Sequence, residues 1–238
     1  MCGRYSLFAP PKDLGSRFDV RIEEYTPRYN AAPGQQLPVI TDEQPDQLHR
    51  LEWGLIPQWA EKKSDGGHIN ARAETVAEKA SFRDAFEQRN GEFAAGRCLV
   101  PADGFYEWVE QTGGKQPYRV TLDDERPFLM AGLWTAWEPP TTQTGLDAFR
   151  SEGSTEENEV IETFTIVTTE PNEFVADLHH RMAVILPEDN PREWLTAPPE
   201  RARELLEPYP AEEMDAYPVS TAVNDPANDS PAVLEPAE

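Results

Sequence analysis

The second residue of this 238-residue chain is a cysteine, and that position offers a chemistry closed to an internal cysteine. An initiator methionine ahead of a small residue is readily removed, so the mature chain is expected to begin at Cys2. A free α-amine and a thiol then share one residue. The α-amine titrates near pH ~8, far below the ~10.4 of a lysine, so part of it is neutral and nucleophilic at pH 7. An amine of this kind condenses with an aldehyde to a Schiff base. The neighbouring thiol can then close a five-membered thiazolidine ring with no diffusional encounter. On position alone Cys2 reads as incidental, and its sequence context has to decide.

Three further residues each have a structural reading of their own. Asn70 opens NARAET and could cap a following helix. Glu107, in GFYEW, could be a solvated strand residue, and His179, in LHHRM, a helix C-cap. Cys98, the other cysteine, opens CLVPADG and reads as a small hydrophobe in a buried strand. Two cysteines make no disulfide framework. His179 and His180 are adjacent and have no HxxxH or CxxC partner, so no metal site is expected. Nor is there a nucleotide or flavin motif, and no cofactor is expected.

The context comes as blocks in fixed order. MCGRY stands at the start, RYNAAP at 28–33, WGLIPQW at 53–59, NARAET at 70–75, CLVPADGFYEW at 98–108, LHHRMAVIL at 178–186 and VSTAVNDPANDSP near the end. Together they closely resemble the SOS-response-associated peptidase (SRAP) family, the abasic-site processing proteins, over residues 2–231. The resemblance implies that Cys2 is the nucleophile, joined to the C1′ aldehyde of a ring-opened abasic deoxyribose in single-stranded DNA. It implies that Asn70 holds the amine or sugar, that Glu107 shuttles protons during Schiff-base formation, and that His179 moves them at ring closure and reversal. Glu107, beside Phe105, Tyr106 and Trp108, is expected to have a raised pKa.

Arg4 and Arg72 match positions that contact the phosphates flanking the lesion. Arg181 could do the same or form a structural ion pair. Trp53 and Pro27 match residues lining the DNA path. Trp59, Trp108, Trp134 and Trp137 are expected in the core. One departure from the family pattern is Ala183, where proline usually follows the HRM block. The resemblance implies a shielding cross-link with possible lyase and reversal activity. Two other readings stand beside it: a cysteine-type (auto)peptidase, and a noncovalent single-stranded DNA-binding module.

The elements that must position these groups are short. Leu14 and Phe18, four apart after Pro10, suggest a helix. SFRDAFEQR from Ser81 suggests another with a serine N-cap, and residues 171–178 and 194–206 two more. Strands are expected at 37–41, 51–56, 118–122, 128–137, 163–169 and 183–186, and 99–109 reads as strand, turn, strand with PADG as the turn. Many short strands with few helices indicate an α+β fold. The expected architecture is one compact domain over 2–231, with a mixed or antiparallel barrel-like sheet core and short peripheral helices. Residues 138–159 read as an acidic surface excursion, the chain after Asn224 as loose, and 232–238 as a flexible tail.

Charge sets the remaining constraint. Asp and Glu number 44 against 21 Lys and Arg, a net charge of -23. This excess, with the basic residues mostly Arg, is expected of a protein adapted to a salt-rich cytoplasm. It also opposes phosphate binding, which rests on neutralising charge. A DNA reading therefore needs a local basic site, expected as an acid-free pocket around Arg4 and Arg72, and a salt-tolerant source of affinity such as a covalent bond. No apolar run approaches the ~18 residues of a membrane span, and no secretory signal is read at the N-terminus. A cytoplasmic, nucleoid-associated monomer is expected, with a replication protein as its possible recruiter.

Overall fold

All ten residues from Phe128 to Trp137 are buried, and so are the eight from Ala95 to Ala102. Strands buried on both faces need cover on both sides, which a sheet closed on itself supplies from within. The computed structural model, which describes residues 2–65, 67–89, 91, 93–139 and 160–237, has this closure. In chain order the strands are β1 (Tyr5–Leu7), β2 (Arg28–Ala31), β3 (Gln36–Thr41), β4 (His49–Trp53), β5 (Asn70–Arg72) and β6 (Ala95–Ala102). They continue with β7 (Gly104–Gln111), β8 (Gly114–Leu122), β9 (Phe128–Trp137), β10 (Ile161–Thr169), β11 (Met182–Ala183) and β12 (Met214–Pro218).

Five of them run in the order β10-β4-β3-β6-β9, and β9 pairs back onto β10. Only the β10–β4 pairing is parallel, so the result is a closed, mixed, five-stranded barrel. Its interior is tight. A Cβ on Gly132 would stand 2.7 Å from Cys98 Sγ and 2.9 Å from Val100 Cγ2, so only glycine fits there. Strands β5 and β11 both pair with β10.

The second sheet is antiparallel, in the order β12-β8-β7-β1-β2. Strands β6 and β7 are one stretch of chain that leaves the barrel and enters this sheet at Asp103, so the expected PADG turn is a corner between sheets. Asp103 fixes the corner. Its carboxylate accepts from Ser6 Oγ at 2.6 Å and from the amide N–H of Ala9 at 3.1 Å, and it pairs with Arg119 at 3.4 Å. Arg119 lies so close that a Cβ on Gly104 would meet its Nε at 2.8 Å.

The α+β class and barrel-like core are as the sequence indicates, with differences in detail. Helix α1 (Pro11–Phe18) buries Leu14 and Phe18. Helix α2 (Arg83–Phe86) starts after Phe82 with no side-chain cap, so Ser81 does not cap it. Helix α3 (Glu173–Ala176) is capped by Asn172, whose side chain accepts from the Val175 amide. The helix expected over 194–206 is two, α4 (Glu193–Thr196) and α5 (Pro199–Glu204), because Pro198 and Pro199 hold the residues before them out of helical geometry. The three-residue β1 and β5, with β2 and β12, are too short for period-two alternation to announce them.

The C-terminal segment is not loose. Asp229 accepts from the amides of Tyr29 and Asn30 at 2.6 and 3.0 Å, and Val233 is buried with Tyr106, Val219 and Val223. The amide of Ala237 donates to Pro218 O at 2.8 Å, within the stretch read as a flexible tail. Most of the acidic excursion, 140–159, lies outside the described residues. No helix among them is long and apolar enough to cross a membrane.

Candidate active site

Four segments converge where the second sheet meets the barrel. Strand β1 pairs with β7 through Tyr5–Phe105 and Ser6–Gly104. The Tyr106 amide donates to Arg4 O at 3.0 Å, which carries the ladder toward the N-terminus and brings Cys2 alongside Glu107. On the barrel side, β5 hangs on β10 with Asn70 opposite Ile166. Asn70 Nδ2 donates to Cys2 O at 3.0 Å. His179 sits in the link between α3 and β11, with Nδ1 4.0 Å from Glu107 Oε2. Cys2, Asn70, Glu107 and His179, remote from one another in sequence, are thus one cluster. Asn70 is a strand residue, not a helix cap.

The electrostatics suit proton transfer. Cys2 is fully buried, and burial, then the charge of Glu107, push its thiol far above its usual value. The resting sulfur is a thiol. Glu107 is 2% exposed, and burial pushes its carboxyl up to about 7 while the positive amino terminus opposes the rise. Burial lowers His179 below the usual imidazole value. Near neutral pH the cluster therefore holds a half-protonated carboxyl beside a neutral imidazole. Asn70 Oδ1 is buried with no hydrogen-bond partner among the described residues, an acceptor available to an amine or a sugar hydroxyl.

The arginines divide. Arg72 is exposed, and its side chain makes no hydrogen bond or ion pair among the described residues. Arg4 is partly engaged, donating to Asn30 Oδ1 at 2.9 Å, Val223 O at 2.7 Å and Asn224 O at 3.3 Å. The surroundings are not acid-free as expected, because Asp225 acts on Arg4 and Arg72 acts on Glu74. Arg181 is 8% exposed, and its two terminal nitrogens are taken by Glu74 and by Thr168 O. This is the structural ion pair of the two roles open to it.

The tryptophans need correction. Trp53, expected on the DNA path, is 1% exposed, packs on Tyr5 and Phe164, and donates its indole N–H to Ile69 O at 2.9 Å. A residue walled in on every side cannot stack on a base. Trp59, expected in the core, is 56% exposed, and sequence reasoning missed it. The available signal was its polar surroundings, with Gln58 before it and EKKSDGG after Ala60. Trp134 and Trp137 are core residues and Trp108 is half-buried, donating to Asn224 Oδ1 at 2.7 Å. Pro27 is exposed just ahead of β2, and Cys98 is fully buried. Among the described residues no three His, Cys, Asp or Glu side chains gather where they could hold a metal ion.

Comparison with known proteins points one way. The sequence pattern of the family described as SOS response associated peptidase (SRAP) matches residues 1–226. The chain is 40% identical over 245 residues to the abasic site processing protein YoqW of Bacillus subtilis, covering 99% of both chains. It is 33% identical to the abasic site processing protein HMCES of Gallus gallus, covering 92% of this chain and 69% of that one. A crystal structure of a protein from Bacteroides thetaiotaomicron shares the fold at a TM-score of 0.81 and 26% identity over the whole of both chains.

Proposed function

The chain belongs to the SOS response associated peptidase family, and we propose that it processes abasic sites in single-stranded DNA by joining them covalently through Cys2. The observation that carries this reading is the convergence on one N-terminal residue of an amide, a buried carboxyl titrating near neutrality and an imidazole. Relatives named abasic site processing proteins supply the substrate.

The reaction starts from a chain lacking Met1. The Cys2 α-amine adds to the C1′ aldehyde to give a carbinolamine. Glu107, in its acid form, protonates the departing hydroxyl; water leaves and the C1′=N bond forms. The Cys2 sulfur then adds to C1′ and its proton passes to the ring nitrogen by way of Glu107 or His179, so the net change is the loss of one water. Because the sulfur rests as a thiol, ring closure needs a base, and neutral His179 or the Glu107 carboxylate produced in the previous step provides it. Asn70 holds the Cys2 main chain through its carbonyl and leaves Oδ1 for the amine. From the open imine, loss of a C2′ proton would expel the 3′ phosphate, giving a lyase side reaction that ring closure forestalls. Reversal retraces these steps: the nitrogen lone pair expels the sulfur, which takes back a proton by way of Glu107 or His179, and one water hydrolyses the C1′=N bond to free amine and aldehyde.

DNA is held, on this reading, by Arg72 and the outer edge of Arg4 on phosphates, with Pro27 along the strand. Trp59, and not Trp53, has the exposed indole face that can receive a base. A thiol peptidase is the weaker alternative: it needs a thiolate beside an imidazolium, whereas burial and Glu107 both hold this sulfur protonated.

The test is Cys2→Ser with an abasic oligonucleotide. The variant keeps its amine, so borohydride should trap an imine while the SDS-stable adduct disappears. A Cys2→Ser protein that forms the stable adduct in full would remove the thiazolidine step. Equal binding to intact and abasic strands with no adduct would favour a noncovalent module.

A further inference from the structure

We infer that Glu74 is a positioning residue for His179, acting through Arg181 to keep imidazole Nδ1 an acceptor and its proton on Nε2. The inference rests on the proposed role of His179 as a proton carrier, but its geometry stands apart from that role.

Glu74 follows β5 by two residues and grips both terminal nitrogens of Arg181, Nη2 to Oε2 at 3.0 Å and Nη1 to Oε1. Arg181 Nη2 also donates to Thr168 O at 2.6 Å. Thr168 lies on β10 opposite both Arg72 of β5 and Ala183 of β11. Arg181 is therefore tied to β10 and to the turn that follows β5, just ahead of the start of β11. Its buried Nε has no hydrogen-bond partner among the described residues, so the guanidinium is not placed there to satisfy itself.

The main chain of the same residue carries the consequence. The Arg181 N–H donates to His179 Nδ1 at 3.0 Å, and the Arg181 carbonyl oxygen is also 3.0 Å from that nitrogen. While the ring is neutral, accepting the N–H leaves the proton on Nε2. When Nδ1 gains a proton, it can donate to the carbonyl instead. The N–H and C=O of Arg181, in the two peptide groups that flank its Cα, thus serve the two protonation states, provided the main chain at that residue is held still, and the Glu74–Arg181 pair holds it. Facing the ring from other elements are Glu107 of β7 at 4.0 Å, the His180 ring at 4.2 Å between centroids, Lys115 of β8 and the amino terminus. Of these, Glu107 is the acid placed to exchange a proton with Nδ1.

The experiment is nitrogen-15 NMR of the histidine rings in full-length protein without DNA, with His179 assigned by loss of its signals in His179→Asn. The wild type is expected to show neutral His179 with an unprotonated Nδ1. Glu74→Gln is expected to show a mixture of tautomers. With an abasic oligonucleotide, its pH profile of adduct formation should move by about half a unit and the rate should fall about tenfold, a small part of the ~10²–10⁴ a general acid–base contributes. Glu74→Asp should recover part of both.

A wild-type ring protonated on Nδ1 would overturn the inference, even if Glu74→Gln failed to fold. So would a folded Glu74→Gln protein with unchanged tautomer and pH profile, whether it lost only thermal stability or only changed its affinity for DNA. Absence of any adduct in the wild type would refute the reaction and leave the tautomer result to decide the positioning role.

Discussion

Asp103 and Glu107 are buried carboxyls four residues apart on one run of chain, and they have opposite fates. Asp103, at the corner between barrel and second sheet, accepts from a serine hydroxyl and main-chain amides and pairs with Arg119. Glu107, four residues further on and within β7, faces a titratable imidazole at 4.0 Å. Burial raises both, but at Asp103 the donors pull the carboxyl back, whereas Glu107 goes to about 7. The first is a fastener; the second is the proton carrier of the proposed reaction. Burial alone makes neither; the neighbours decide.

Crossed substitutions break the comparison most sharply. Glu107→Gln is expected to slow adduct formation by about 10²–10³ in gel-shift kinetics. Asp103→Ala should instead lose about 3–5 kcal/mol in urea unfolding, since it strands the buried Arg119 charge. If Asp103→Ala folded normally and Glu107→Gln unfolded the protein, the assignment would be reversed. The tryptophans of WGLIPQW repeat the contrast one step down. Trp53→Ala should cost about 3–5 kcal/mol of stability. Trp59→Ala should stay within about 0.5 kcal/mol in unfolding and lose about 1–3 kcal/mol of single-strand affinity by fluorescence anisotropy.

The pH dependence of stability sharpens it further. In the folded chain Glu107 keeps its proton up to about 7, against 4.5 in the unfolded chain. Between those values the folded state binds more protons, so stability falls as pH rises through the window. Above pH 7 the whole cost, of the order of 3 kcal/mol, is in force. Glu107→Gln should therefore be more stable than the wild type at pH 8 and little different at pH 4, by thermal scans. The smallest effect concerns salt. With a net charge of -23, long-range repulsion of DNA should be screened as the Debye length shortens from ~10 Å to ~3 Å between 0.1 and 1 M KCl. Adduct formation is expected to quicken about twofold or more over that range. The steep slowing typical of phosphate-driven binding would contradict this.

What could be read in advance depended on whether a residue's role was local. Strands β3, β9 and β10 follow from runs of apolar and β-branched residues, and α1 from Leu14 and Phe18. The four site residues were identified from ordered motifs, and their convergence needed β1 against β7 and β5 against β10, strands too short to leave a period. Trp53 and Trp59 were exchanged because exposure depends on what folds over a loop. The C-terminal segment read as loose because its anchor, Asp229 on the amides of β2, joins residues about 200 positions apart. Arg181 could have served either of two roles, and only the placement of Glu74 favours the ion pair.

The most direct test is intact and peptide-level mass spectrometry of the purified protein after incubation with an abasic oligonucleotide. The adduct should weigh the sum of the two partners less one water, map to Cys2 as the first residue, and be absent with an intact oligonucleotide. An adduct on a lysine, or one formed in full on a chain that still carries its initiator methionine, would contradict the account.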